Sequence, residues 1–185
     1  MAAMRQLSEP EPAMLVAGLI FRPAIEIGPV LNRLLEQLRP LGPRALLEVS
    51  EGRPFDFTTY YEPEMGSGLI RAFAAFRGLM PQGLLARAKE IYRQVELQYL
   101  DDSGNRQVNL DPGLLCPEKL VLASSKNFTH RIYIGRGVFA ELTLVFKKGS
   151  YRPLEWTYPD YRSEWALEFW NRMRRHHLQE LRATG

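Results

Sequence analysis

The chain has 185 residues, 45% of them hydrophobic and 24% charged, and its 24 Lys+Arg against 21 Asp+Glu leave a formal charge of +3. That length serves one hydrophobic core better than two, the composition argues against disordered and fibrous classes, and so mild a charge does not by itself argue for nucleic acid. No apolar run approaches the roughly 18 to 20 residues that cross a bilayer, and the single cysteine, Cys116, excludes an internal disulfide framework or a zinc site built on cysteine pairs.

Residues 1–12, with their Glu-Pro repeats and no apolar stretch behind a basic start, read as a flexible leader rather than a signal peptide, and 13–185 as a single domain. With one cysteine and no span, a cytoplasmic location is expected. AMLVAGLIF (13–21), bounded by Arg22-Pro23, reads as a buried strand. In the next segment Ile27, Val30, Leu31, Leu34, Leu35 and Leu38 recur at helical spacing until Pro40, Gly42 and Pro43 stop them. Residues 45–61 look extended with a break near Gly52 to Pro54, and LIRAFAAFRGLM (69–80) forms a second extended run, although its alanines also permit a helix. After Pro81, the stripe Leu84, Leu85, Ala88, Ile91, Tyr92, Val95 and Tyr99 predicts a helix, DDSGN a turn and RQVNL the start of a strand.

The order strand, helix, strand, strand, helix, strand is the split βαβ pattern of ferredoxin-like sheets. The predicted fold is therefore an α+β sandwich with two helices over a mainly antiparallel sheet, extended by a β-hairpin and a C-terminal helix. NLDPG (109–113) reads as turn chemistry through Asp111, Pro112 and Gly113.

The hairpin is THRIYI and VFAELTLVF around Gly135-Arg136-Gly137. A three-residue link sets Ile134 opposite Val138, then Tyr133 opposite Phe139, Ile132 opposite Ala140 and Arg131 opposite Glu141. Alternation sends Ile132, Ile134, Val138, Ala140, Leu142, Leu144 and Phe146 to the core, with His130 at that face's edge. Arg131, Tyr133, Phe139, Glu141 and Thr143 then share the other side. Arg131 and Glu141 are either a cross-strand ion pair on a wetted face or the floor of a site that Lys126 and His130 approach from the preceding loop.

Asp56, Glu62 and Glu64, beside Tyr60 and Tyr61, are candidate oxygen ligands for a divalent metal, or the acidic side of a solvated turn. Cys116 reads as a buried inert thiol. In 155–182, Ser163 caps a helix whose docking stripe is Trp165, Phe169, Trp170 and Met173. Arg174, Arg175, His176 and His177 are expected near its negative end, with nucleic-acid backbone binding as the other use of that basic stretch.

FDFTTYYEPEMGSGL, VNLDPGLL, KLVLASSKNFTHRIYIGRGVFAELTLVFKKG and WTYPDYR together resemble an uncharacterised bacterial family, domain of unknown function 4416, over nearly the whole chain. The resemblance implies a stand-alone cytosolic single-domain protein and supplies no activity and no catalytic residues. The residues themselves lead to two readings. In one, a small enzyme or ligand-binding domain uses a mixed-sign pocket for a small anionic molecule such as a phosphate compound, with or without a divalent metal: His130, Glu141 and Asp111 as catalytic groups, Lys126, Arg131, Tyr133 and Tyr61 on the ligand, and Asp56, Glu62 and Glu64 on the metal. In the other, an RNA- or DNA-binding module uses a sheet face with Tyr133 and Phe139 and the basic C-terminal helix. The mixed-sign pocket predicts that groups of opposite charge, far apart in sequence, meet in one concavity.

Overall fold

Strand β1, Ala13–Phe21, is buried along its whole length and lies between β4 and β5 in the computed structural model, which describes residues 7–184. The leader expected over residues 1–12 therefore falls partly outside the described residues. Both faces of β1 are covered, which is why its sequence is a continuous apolar run rather than an alternating one.

Helix α1, Ile27–Leu38, buries the predicted leucine stripe, and β2, Ala45–Val49, with the short β3, Arg53–Pro54, pairs onto β4, Ile70–Met80. A single turn, α2 (Glu62–Met65), precedes β4. Helix α3, Leu85–Glu96, follows it. The alanines of β4 permit a helix by propensity, but Ala72, Ala74 and Ala75 are buried in a strand paired on both sides, so tertiary packing decides.

The second half adds β5 (Val108–Leu115), β6 (Lys119–Ser124), β7 (Arg131–Gly135), β8 (Val138–Lys147) and β9 (Ser150–Pro153), then the long helix α4, Glu164–Thr184. Nine strands form one open sheet in the order β2-β4-β1-β5-β6-β8-β7, with β3 on β4 and β9 on β8, every pairing antiparallel. Helices α1 and α3 cover one face, where Leu15, Ala17 and Leu19 meet Leu31, Leu34, Tyr92 and Val95. Helix α4 covers the other, where Val16, Phe73 and Leu115 meet Phe169, Trp170 and Met173. No helix among the described residues is long and apolar enough to cross a membrane.

Three local expectations are corrected. NLDPG lies inside β5, with Asp111 opposite Gly18. The hairpin turn is the two-residue Arg136-Gly137, both at positive φ (56° and 71°), with Gly135 opposite Val138 and Ile134 bulged out. The pairs from Tyr133–Phe139 to Arg131–Glu141 fall as expected, but the burial does not. Ile132, expected in the core, is 72% exposed because β7 is the sheet edge, while Glu141 and Thr143, on the side opposite the expected core, are buried. Third, α4 runs two turns past His177, so Arg174 to His177 sit mid-helix, out of reach of a macrodipole effect confined to the last turn. Arg174 instead donates to the Pro117 carbonyl (2.6 Å) over the Phe146 ring, and Arg172 pairs with Glu48 (2.5 Å).

Candidate functional site

Strands β5 and β6 pair only through Gly113, Leu114 and Leu115. Toward its N-terminus β5 keeps β1 on one side and has no strand on the other, so the sheet splits. A cavity of about 940 Å³ opens there, lined from α2, β4, α3, β5, β6, the 124–126 loop and the 158–161 segment. The free edge of β5 is closed by side chains of α3. Leu110 donates its N–H to Glu96 Oε1 (2.6 Å), and its carbonyl accepts from Lys89 Nζ (3.2 Å). Pro112, two residues on and aimed the same way, has no N–H to leave unpaired. Burial pushes the Glu96 carboxyl above its ordinary range.

At one end of the cavity stands Arg71 of β4, 2% exposed. Its Nη2 lies 2.8 Å from Asp160 Oδ2, and the guanidinium packs against the Phe73 and Tyr161 rings. Its Nε and Nη1, like the Tyr161 hydroxyl, have no hydrogen-bond partner among the described residues. This crowding is possible because Gly18 lies beneath it: a Cβ there would collide with Tyr161 Oη and press on the Arg71 nitrogens. Burial drives the Tyr161 hydroxyl well above its ordinary pKa, so it stays protonated.

The middle of the cavity is a chain of satisfied charges. Arg106 grips both Glu64 oxygens (2.7 Å each) and donates to Asn109 (2.9 Å), Asn109 donates to Asp111 Oδ2 (2.8 Å), and Lys89 pairs with Asp111 Oδ1 (3.2 Å). The Arg106 hydrogen bond holds the Glu64 carboxyl below its usual range. Beside them, burial raises the Tyr61 hydroxyl far above its ordinary pKa.

At the other end is Glu141 of β8, 1% exposed. Its Oε2 takes Arg131 Nε (2.7 Å) and faces His130 Nε2 (3.2 Å), while Oε1 has no partner among the described residues. Arg131 also donates to Tyr158 Oη (2.6 Å) and to the Lys126 carbonyl (3.0 Å), and His130 stacks on Trp156. The register shift between β6 and β8 sets Thr143 apart from the ladder. The carbonyls of Leu142 and Thr143 accept from Trp156 Nε1 (2.7 Å) and Thr157 Oγ1 (2.5 Å), which pins the 156–161 segment as a roof over the site. At the rim, Lys126 Nζ meets the Tyr60 hydroxyl.

Of the residues singled out in the sequence, Tyr61, Glu64, Asp111, Lys126 and Glu141 line this one cavity, with Arg131 and His130 against Glu141. The rest lie elsewhere. Tyr133 is exposed beside Phe139 on the sheet edge, and Asp56 and Glu62 are exposed and absent from the lining. Glu64 is committed to Arg106, and among the described residues no three His, Cys, Asp or Glu side chains are grouped as a metal ion needs.

A family described as Domain of unknown function (DUF4416) matches residues 11–177. The chain belongs to that family. No curated protein and no solved structure matches it. What this DUF4416 chain adds to the sequence reading is Arg71, Asp160, Tyr161 and Gly18. An arginine alone in the apolar run LIRAFAAF and a glycine alone in AMLVAGLIF were the available signals. Nothing local marked Asp160 and Tyr161, which matter because the roof segment sets them over Gly18.

Proposed function

We propose that this protein is a small-molecule-binding domain whose cavity takes an anionic ligand at Arg71 and Tyr161, with Lys126 attracting it at the rim. The observation that carries the reading is Arg71: a buried guanidinium on the wall of a roomy cavity, with two nitrogens lacking partners among the described residues. A buried donor left unpaired costs about 1–3 kcal/mol, more when charged, and an acidic ligand supplies the missing acceptor. The enzymatic version of this reading places proton transfer at Glu141, whose Oε2 is held by Arg131 and His130 while Oε1 lacks a partner among the described residues. The strand order β2-β4-β1-β5 with α1 and α3 on one face supports reading residues 13–115 as a ferredoxin-like unit to which the β6–β9 strands and α4 add the roofed half of the site. The buried thiol of Cys116, pushed up to about 11 by burial, suits a reducing compartment.

Thermal unfolding of the wild type and of Arg71→Lys, run against a panel of small carboxylates and phosphates, tests this. Some members should raise the wild-type midpoint and leave Arg71→Lys unmoved. A panel that stabilises neither protein, or both equally, contradicts an anion site at Arg71.

A further inference from the structure

The cavity has a second unmet partner, of the opposite kind to the first. Glu141 is buried, lines the cavity, and has Oε2 engaged by Arg131 and His130 while Oε1 lacks a partner among the described residues. An acceptor in that state calls for a donor. Arg71, at the other end, calls for an acceptor. The two belong to β8 and β4, with β6, β5 and β1 between them in the sheet, so one group of atoms does not answer both.

Charge narrows the class further. Cations and carboxylates are equal in number along the lining, with Arg131 bound to Glu141 and Arg87 to Glu90 from outside it. At the anchor Asp160 already holds Arg71 Nη2, so the two remaining nitrogens suit a single carboxylate, whereas a polyphosphate brings more negative charge than these few surplus cations offset. Arg131 already neutralises Glu141, so a second cation there gains little and a neutral donor suffices.

Resting on the anion reading of Arg71, we propose that the ligand is a monoanion whose far end carries a neutral hydrogen-bond donor, a hydroxy acid: its carboxylate accepts from Arg71 and Tyr161, and its distal hydroxyl donates to Glu141 Oε1. Rejection of analogues without the hydroxyl then follows from the cost of leaving Glu141 Oε1 buried and unpaired.

Calorimetric titration separates this from the reading beneath it. The probes are unbranched carboxylates of graded length, each as the ω-hydroxy acid, its ω-methyl ether and its ω-amino analogue, against wild type, Arg71→Lys and Glu141→Met. At the fitting length the hydroxy acid should bind wild type at least about tenfold more tightly than the methyl ether, which accepts but cannot donate. Glu141→Met should erase that preference, and Arg71→Lys should weaken both ligands together. Should Glu141→Met not fold, the ligand pair on wild type decides alone. Equal affinity for hydroxy acid and ether, with Arg71→Lys still weakening both, overturns the distal donor and leaves the anion site standing. Tightest binding by the ω-amino compound overturns the neutral donor. No binding by any of these carboxylates overturns this proposal, and the anion site then stands or falls on the phosphates of the thermal-unfolding panel.

Discussion

The two faces of the sheet are built from the same strands and end in different chemistry. Under α1 and α3, the core running from Leu15, Ala17 and Leu19 of β1 to Leu110 and Leu114 of β5 is apolar throughout. Under α4 the row begins the same way, with Val16, Phe73 and Leu115 against Trp170, and then turns to charge at Gly18, where the helix gives way to the Tyr158–Tyr161 segment. A helix covers a sheet with its own satisfied backbone and an apolar stripe. The loop covers it with hydroxyls, a carboxylate and rings, and there the buried Arg71–Asp160 pair sits, whereas α3 brings its buried carboxyl, Glu96, only to the free edge of β5.

The sharpest way to break that contrast is to unpair the buried charge. Asp160→Ala leaves Arg71 buried without its counterion and should cost about 3–5 kcal/mol in urea unfolding. Leu34→Ala, on the apolar face, should cost about 3 kcal/mol by cavity creation and leave ligand affinity unchanged. If Asp160→Ala loses less than about 1 kcal/mol, Arg71 is not dependent on that partner and the faces are less different than claimed.

Acid should weaken the α4 side by a smaller amount. His177 is fully buried on α4, neither ring nitrogen has a partner among the described residues, and burial pushes its pKa from 6.5 down to about 4. The unfolded chain takes up that proton first as pH falls. The contribution is thus fully present above pH 6.5 and is lost progressively down to about 4, at most about 3 kcal/mol. His177→Leu should flatten that part of the stability profile, and an unchanged slope between the two proteins counts against it. The smallest effect belongs to the rim. Lys126→Met, which cuts the contact with Tyr60, should change stability by less than about 1 kcal/mol while weakening ligand capture and its salt dependence.

The difference between the faces also explains what the sequence made legible. Helices α1 and α3, like the Trp165, Phe169, Trp170 and Met173 stripe of α4, could be read because one dry face imposes a helical period, and β1 and β4 because burial on both faces leaves a continuous apolar run. Cross-strand pairing from Tyr133–Phe139 to Arg131–Glu141 fell as expected although the turn is one residue shorter, because the bulge at Ile134 offsets the difference. What lay over those residues was not legible: alternation tells which residues share a side, never whether water or a loop covers it, so Glu141 read equally as half of a wetted ion pair or as the floor of a site, and it is buried. Asp111-Pro112-Gly113 carries turn residues for another reason, since Pro112 tolerates the split edge of β5 and Gly113 the close approach of β6. Arg71 stayed hidden because one charge in an apolar strand has no period to betray it.

The most direct test is a crystal structure of the wild type soaked with the best-binding hydroxy acid. The account predicts density in the cleft between β5 and β6, with the carboxylate on Arg71 and Tyr161 and the hydroxyl at Glu141. Ordered density for that ligand anywhere else, with the Arg71 end of the cavity holding only water, would contradict it.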